Sequence, residues 1–206
     1  MSQALSLYPS LYLVEDTVTP IIEGKIIFSN SKHGFEDSFN ISLKIPAHYP
    51  YRFPQVEETD KRILRVPERH INRNGKLCFA ADAEELITCK DGINLSYFIE
   101  KILIPHLARE VYVEIYKKYP HGERPHNLVY GNMDFYFEKM QSNDSVLILK
   151  AFCYIASNRI PTAHEPCLCG SGISFINCHE AAVKELASLP QAYITNEIKA
   201  IYSMVH

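Results

Sequence analysis

Two short stretches of this 206-residue chain hold side chains whose types and spacing suit chemistry. The first is His70-Ile-Asn-Arg-Asn-Gly-Lys-Leu-Cys78, which sets one thiol among polar residues. A thiolate is a strong nucleophile even when little of it is ionised near neutral pH, so Cys78 is a candidate to carry an acyl group as a thioester. Asn72 would offer a side-chain amide to the tetrahedral oxyanion of acyl transfer. Gly75 would permit the tight backbone of such a loop. The competing reading makes Cys78 a small buried hydrophobe between Leu77 and Phe79.

The second stretch is Cys167-Leu-Cys169-Gly-Ser-Gly-Ile-Ser-Phe-Ile-Asn-Cys178-His179, spaced Cys-x-Cys-x8-Cys-His. Three soft thiolates and one imidazole make a complete tetrahedral set for zinc, and Gly-Ser-Gly lets the chain double back so that both pairs meet one ion. Four protein ligands leave no open position for water, so the expected Zn2+ is structural, and folding from Glu165 to about Ala187 should depend on it.

Stepping outward, the elements that must position these groups are a sheet followed by helices. Leu11 to Val14 and Ile21 to Phe28 read as strands, and Phe39, Ile41, Leu43 and Ile45 alternate with polar residues in the period-two pattern of a half-buried strand. Pro46, Pro50 and Pro54 end that strand, and Gln55 to Glu58 begins a fourth. The whole favours an antiparallel meander. Thr59 to Arg69 reads as an exposed approach to the cysteine loop. Ala80 to Gly92 reads as a mobile or short-helical border, whose Asp82, Glu84, Glu85 and Asp91 would either attract an incoming amine or simply be solvated.

Asn94 is a plausible N-cap, after which Leu95, Phe98, Ile99, Ile102, Leu103, Leu107, Val111 and Ile115 recur at helical spacing. Pro105 should kink or restart this helix. Tyr119 to Asn132 is a loop by its breakers; His121 and His126 within it invite a metal or acid-base reading against that of ordinary surface histidines. Met133 to Met140, Val146 to Ala156 and Gln191 to Val205 read as further helices, with Tyr130, Phe135, Tyr136, Phe137 and Tyr154 as packing aromatics.

The balance of 21 basic against 24 acidic residues gives no strong field of either sign and no run of like charge, so nucleic acid and membrane surfaces drop in rank as partners. The first residues show no signal-like apolar stretch, and no apolar segment is long enough for a bilayer span, which reads as a cytoplasmic protein. In such a compartment six cysteines point to metal or catalysis and not to disulfides.

With Tyr49-Pro50-Tyr51-Arg52-Phe53-Pro54-Gln55-Val56 ahead of His70-x-Asn72 and Gly75-Lys-Leu-Cys78, roughly Leu11 to Leu107 resembles the ubiquitin-conjugating enzyme fold. That resemblance puts Cys78 on the thioester cysteine, Asn72 on the oxyanion asparagine and His70 on the histidine that braces the loop. Ile71 stands where the family has proline, the gap from Asn72 to Cys78 is two residues shorter than usual, and no long N-terminal helix precedes the first strand. The first two departures leave Asn74 as an alternative to Asn72. The third weakens the expectation that a eukaryotic-type activating enzyme docks here. Such shortened versions are similar to bacterial relatives in operons for antiphage defence of the CBASS type or for simple ubiquitin-like conjugation. The second stretch resembles the SEC-C zinc motif at every ligand position, a motif that often serves as a partner-docking knob.

The expected architecture is therefore α+β: a ubiquitin-conjugating-like four-stranded meander packed on helices over 1–118, a helical extension over 119–160, and the zinc motif with a closing helix over 161–206. The resemblance implies a transferase that accepts a protein C-terminus on Cys78 and passes it to an amine. Its partner would be a ubiquitin-like protein or the C-terminus of a cGAS-like nucleotidyltransferase, with an activating enzyme as a further partner. The alternatives are an inactive module that binds ubiquitin-like proteins, against which the retained cysteine argues, and a Cys-His deconjugase using His70.

Overall fold

The structure is a computed structural model that describes residues 1–30, 34–72, 74–119 and 128–205. It divides into two compact units, Met1–Ala80 with Asp91–His126, and Ala81–Lys90 with Asn127–His206.

The first unit is α+β. A short helix α1 (Ser2–Leu7) leads into strands β1 (Leu11–Glu15), β2 (Ile21–Asn30), β3 (Phe35–Lys44) and β4 (Gln55–Glu58), which form one antiparallel sheet in the order β1-β2-β3-β4. The alternation that defines β3 has its expected cause: Phe39, Ile41 and Leu43 are buried, and Asn40, Ser42 and Lys44 are not. Leu11 pairs with Gly24, whose φ of +135° and whose position, with a Cβ only 2.0 Å from Ser10 O, admit no side chain.

After the sheet comes a helix in three pieces, the last of which packs against β2 and β3. It opens as α3 (Leu95–Phe98), capped by Asn94, whose side chain accepts from the Tyr97 N–H at 2.8 Å. A π-helical turn over Ile99–Leu103 follows, with the Ile104 N–H bonded to Ile99 O, and α4 (Ile104–Tyr116) takes over with Pro105 in its first turn. Pro105 thus restarts the helix as expected: it has no N–H for the Lys101 carbonyl, and the π turn is how the chain accommodates the gap. Leu95, Phe98, Ile99, Leu103, Leu107 and Val111 are buried, but Ile115 is 53% exposed and leaves the stripe.

The Thr59 to Arg69 segment is not uniformly exposed. Ile63 is 1% exposed, and the buried Glu58 carboxylate accepts from the Asp60 N–H at 2.7 Å and the Ile63 N–H at 3.2 Å, tying the turn inward. A 3-10 turn over Pro67–Arg69 then delivers the chain to His70.

The second unit is helical. The segment expected to be a mobile or short-helical border is a short helix, α2 (Asp82–Thr88), whose Ala83 and Ile87 lie in one core with α5 (Leu128–Met140), α6 (Ser145–Ala156), α7 (Glu180–Leu186) and α8 (Gln191–Val205). Asp82, Glu84 and Glu85 fall in the first turn of α2, where carboxylates favour the helix dipole. Helix α5 starts at Leu128, five residues ahead of its expected start at Met133, and takes in Gly131 and the buried Asn132. Residues 128–160 and 161–206 share this core, built around Tyr136, Phe152, Phe175 and Ile194. His121 and His126 lie outside the described residues. No helix among the described residues is long and apolar enough to cross a membrane.

Candidate functional site

The cysteine loop is a small hairpin. Ile71 and Leu77 form an antiparallel bridge, the Asn72 N–H donates to Lys76 O at 2.8 Å, and the Cys78 N–H donates to His70 O at 2.7 Å. Gly75 at its tip has φ +83°, and a Cβ there would meet the Arg65 guanidinium and the Glu57 carboxylate at 2.9 Å, so glycine is required. The buried Ile71 and Leu77 hold the base of the hairpin in the core, while Asn72 is exposed. Asn74 Oδ1 accepts from the Lys76 N–H at 3.1 Å, so that oxygen serves the turn.

Cys78 itself is partly exposed, with Sγ 4.0 Å from Ala80 O. Cys89 is the contrasting case, a thiol fully buried at the end of α2. Beside Cys78, the Phe79 ring meets Phe98 at 5.2 Å, Phe53 at 6.4 Å and His106 at 5.1 Å, and this aromatic cluster anchors the end of the loop on the helix.

Beneath the loop lies a polar group that sequence reading missed. Arg69 Nε donates to the buried Glu110 carboxylate at 2.7 Å, and Tyr119 Oη lies 3.1 Å from the same carboxylate and 2.9 Å from Glu68 O. Burial pushes the Glu110 carboxyl up, against the lowering effect of Arg69 and Tyr119. Tyr119 in turn packs edge-on to His70 at 5.4 Å. His106, 6.4 Å from the His70 ring, is buried, and Arg109 Nη2 lies 3.0 Å from its Nδ1. A guanidinium only donates, so this contact makes Nδ1 the acceptor and places the imidazole proton on Nε2. Burial, with the charges of Arg109 and His70, holds His106 well below the usual histidine range. The one signal in the sequence was a carboxylate, Glu110, interrupting an apolar helical face.

In the second unit Cys167, Cys169, Cys178 and His179 converge, with their ligand atoms all within 4.8 Å of one another. His179 Nδ1 lies 3.2 Å from Cys167 Sγ and 3.1 Å from Cys178 Sγ, and Cys169 Sγ lies 3.6 Å from Cys178 Sγ. Local pairing causes this: the Cys167 N–H donates to Ile173 O at 2.9 Å and Pro166 bridges Ser174, so the Gly-Ser-Gly turn folds back, and a 3-10 turn over Phe175–Asn177 brings up the second pair. Ser171 Oγ, 3.2 Å from Cys169 Sγ, lowers that thiol's pKa by hydrogen bonding to the thiolate.

The donor set suits a tetrahedral ion that favours sulfur and imidazole. His179 meets the requirement for the outer contacts as well, because its Nε2 lies 2.9 Å from Met140 O and donates to it, leaving Nδ1 for a metal. The group can therefore hold a metal ion. All six cysteines are free of disulfides.

Neither the protein-family models nor the curated proteins contain a match to this chain.

Proposed function

We propose that the chain is a cysteine-dependent acyl carrier of the ubiquitin-conjugating type, with a structural zinc in its second unit. The observation that supports this most is the placement of Cys78: a partly exposed thiol on a hairpin that follows a four-stranded meander, its backbone fixed to His70. In the reaction, Cys78 Sγ attacks the carbonyl carbon of an activated protein C-terminus. A C–S bond forms as adenylate or a donor thiol leaves. An amine of the acceptor then forms the C–N bond, the C–S bond breaks and the thiol is restored.

By likeness of motif Asn72 is the candidate donor to the oxyanion, with Asn74 the alternative: both are exposed, and the oxygen that Asn74 gives to the turn is not the donor end of its amide. His70 braces the loop through its carbonyl and its packing on Tyr119. The donor proposed is a ubiquitin-like protein or a cGAS-like nucleotidyltransferase, with an activating enzyme if the C-terminus does not arrive activated, in a bacterial antiphage setting. That step rests on likeness of sequence motif. Zinc would be held by Cys167, Cys169, Cys178 and His179 and would supply only cross-linking of the fold.

Intact-mass analysis after co-expression with neighbouring genes, for the native chain and Cys78→Ala, tests the reading. A thiol-labile mass increase confined to the native chain is expected. Release of a free C-terminus from a purified conjugate would mark a deconjugase instead, and tight non-covalent binding without an adduct would mark a binding module.

A further inference from the structure

Both flanks of Cys78 face one imidazole of the same unit. His70, whose carbonyl takes the Cys78 N–H at 2.7 Å, has its ring 6.4 Å from that of His106 on α4, and the ring of Phe79, the next residue in the chain, lies 5.1 Å from it. A phenylalanine would fill this place with no polar atom to bury. His106 Nε2 is instead buried without a hydrogen-bond partner among the described residues, as is Arg109 Nε, and an unmet buried donor is a cost that packing alone does not explain. What the histidine adds is Nδ1, the acceptor for Arg109 Nη2 at 3.0 Å. Arg109 lies over the Tyr119 ring at 5.9 Å, and Tyr119 meets the His70 ring edge-on at 5.4 Å. Contacts running from His106 through Arg109 and Tyr119 thus close on His70, the residue that fixes the Cys78 backbone. Phe79 also leans on Phe53 and Phe98, so the flank that depends on Nδ1 is that of His70.

We propose that His106 is a positioning residue for Cys78: by accepting from Arg109 it keeps the Tyr119 ring against His70 and so holds the backbone bond at the base of the cysteine hairpin. The hydroxyl end of Tyr119 is tied separately, to Glu110 and to Glu68 O, which leaves its ring face for Arg109 to support. The consequence for acyl transfer rests on the role proposed for Cys78; the support of the hairpin does not.

The test is residue-resolved hydrogen exchange of the Cys78 amide in the full chain, with the amides of β2 and β3 as internal reference. His106→Phe, which keeps a ring and loses the acceptor, should speed Cys78 exchange relative to the reference roughly tenfold, the factor for one charge-assisted hydrogen bond. His106→Asn, which places an oxygen near the position of Nδ1, should restore most of the protection; a residue needed for ring packing alone would show the reverse order. Arg109→Met removes the donor and should match His106→Phe, and the double variant should exceed neither, so the proposal is tested even if one variant does not fold. Native protection in both single variants, acceleration shared equally by β2 and β3, no rescue by His106→Asn, or additive losses in the double variant each overturn the proposal. Thiol-labile adduct formation, read by intact mass, should slow by a similar factor in His106→Phe, and an unchanged rate overturns the positioning. A native chain that never forms the adduct removes the role proposed for Cys78, while the exchange result still decides whether His106 holds the hairpin.

Discussion

His179 Nε2 lies 2.9 Å from the carbonyl oxygen of Met140, so one imidazole faces the cysteine cluster with Nδ1 and the end of α5 with Nε2. Metal binding and helix packing are therefore joined in a single side chain. The purified protein should carry one equivalent of zinc, read by elemental mass spectrometry. Cys169→Ser should lose it, with a fall in helical circular dichroism from the second unit. Binding free energies of structural zinc sites are about 10 kcal/mol or more, which exceeds the stability of many small units. Affinity should fall as pH falls, because thiolates and neutral imidazole must be deprotonated to bind.

Cys78 and Cys89 differ in burial, and their substitutions should differ accordingly. Cys78→Ala should change stability by less than about 1 kcal/mol in urea unfolding, since the site is partly exposed and the loop is held by Leu77 and Phe79. Cys89→Ser should cost about 1–3 kcal/mol, because a hydroxyl replaces a thiol in the core. A larger loss for Cys78→Ala than for Cys89→Ser would return Cys78 to the role of a packing residue.

The parts of this molecule that are local in sequence were legible, and the parts made by distant residues were not. The alternation of Phe39, Ile41 and Leu43 and the Asn94 cap could be read because each depends on neighbours within a few residues. The metal group was legible for the same reason. The short helix at α2 was one of two readings, but its burial was not legible, because its buried positions are a single alanine and a single isoleucine among carboxylates, and the core they join is built from residues 133–201. Glu110 was hidden likewise: Arg69 is 41 positions away and meets it only in the folded chain.

The Arg69–Glu110 pair carries its own prediction. Glu110 is fully buried and Arg69 largely so, and breaking a buried pair leaves one uncompensated charge. Glu110→Ala should destabilise the first unit by about 3–5 kcal/mol. The double variant Arg69→Met with Glu110→Met should recover much of that loss, because it leaves no unpaired charge. A double-mutant cycle in urea measures the coupling. Independent, additive losses would show that the two side chains contribute through packing alone.

The buried His106 gives unfolding a pH dependence whose sign follows from its surroundings. Its folded pKa is depressed by burial and by the charges of Arg109 and His70, while in the unfolded chain it titrates near 6.5. Below that pH the unfolded chain takes up a proton that the folded chain does not. The contribution of neutral His106 is thus fully present above about 6.5 and is lost as pH falls, at a slope of up to about 1.4 kcal/mol per pH unit. Glu110 and Glu197 act in the opposite sense: burial raises their folded pKa values, so the folded chain protonates first and their terms favour folding as pH falls toward 4.5. The native profile between pH 5 and 7 mixes these effects, but the difference between native chain and His106→Gln removes the two carboxylates. That difference in melting temperature should shift steadily against the native chain as pH falls from 6.5 to 5. A difference independent of pH would mean that His106 is protonated in the folded state, contrary to the tautomer that Arg109 imposes.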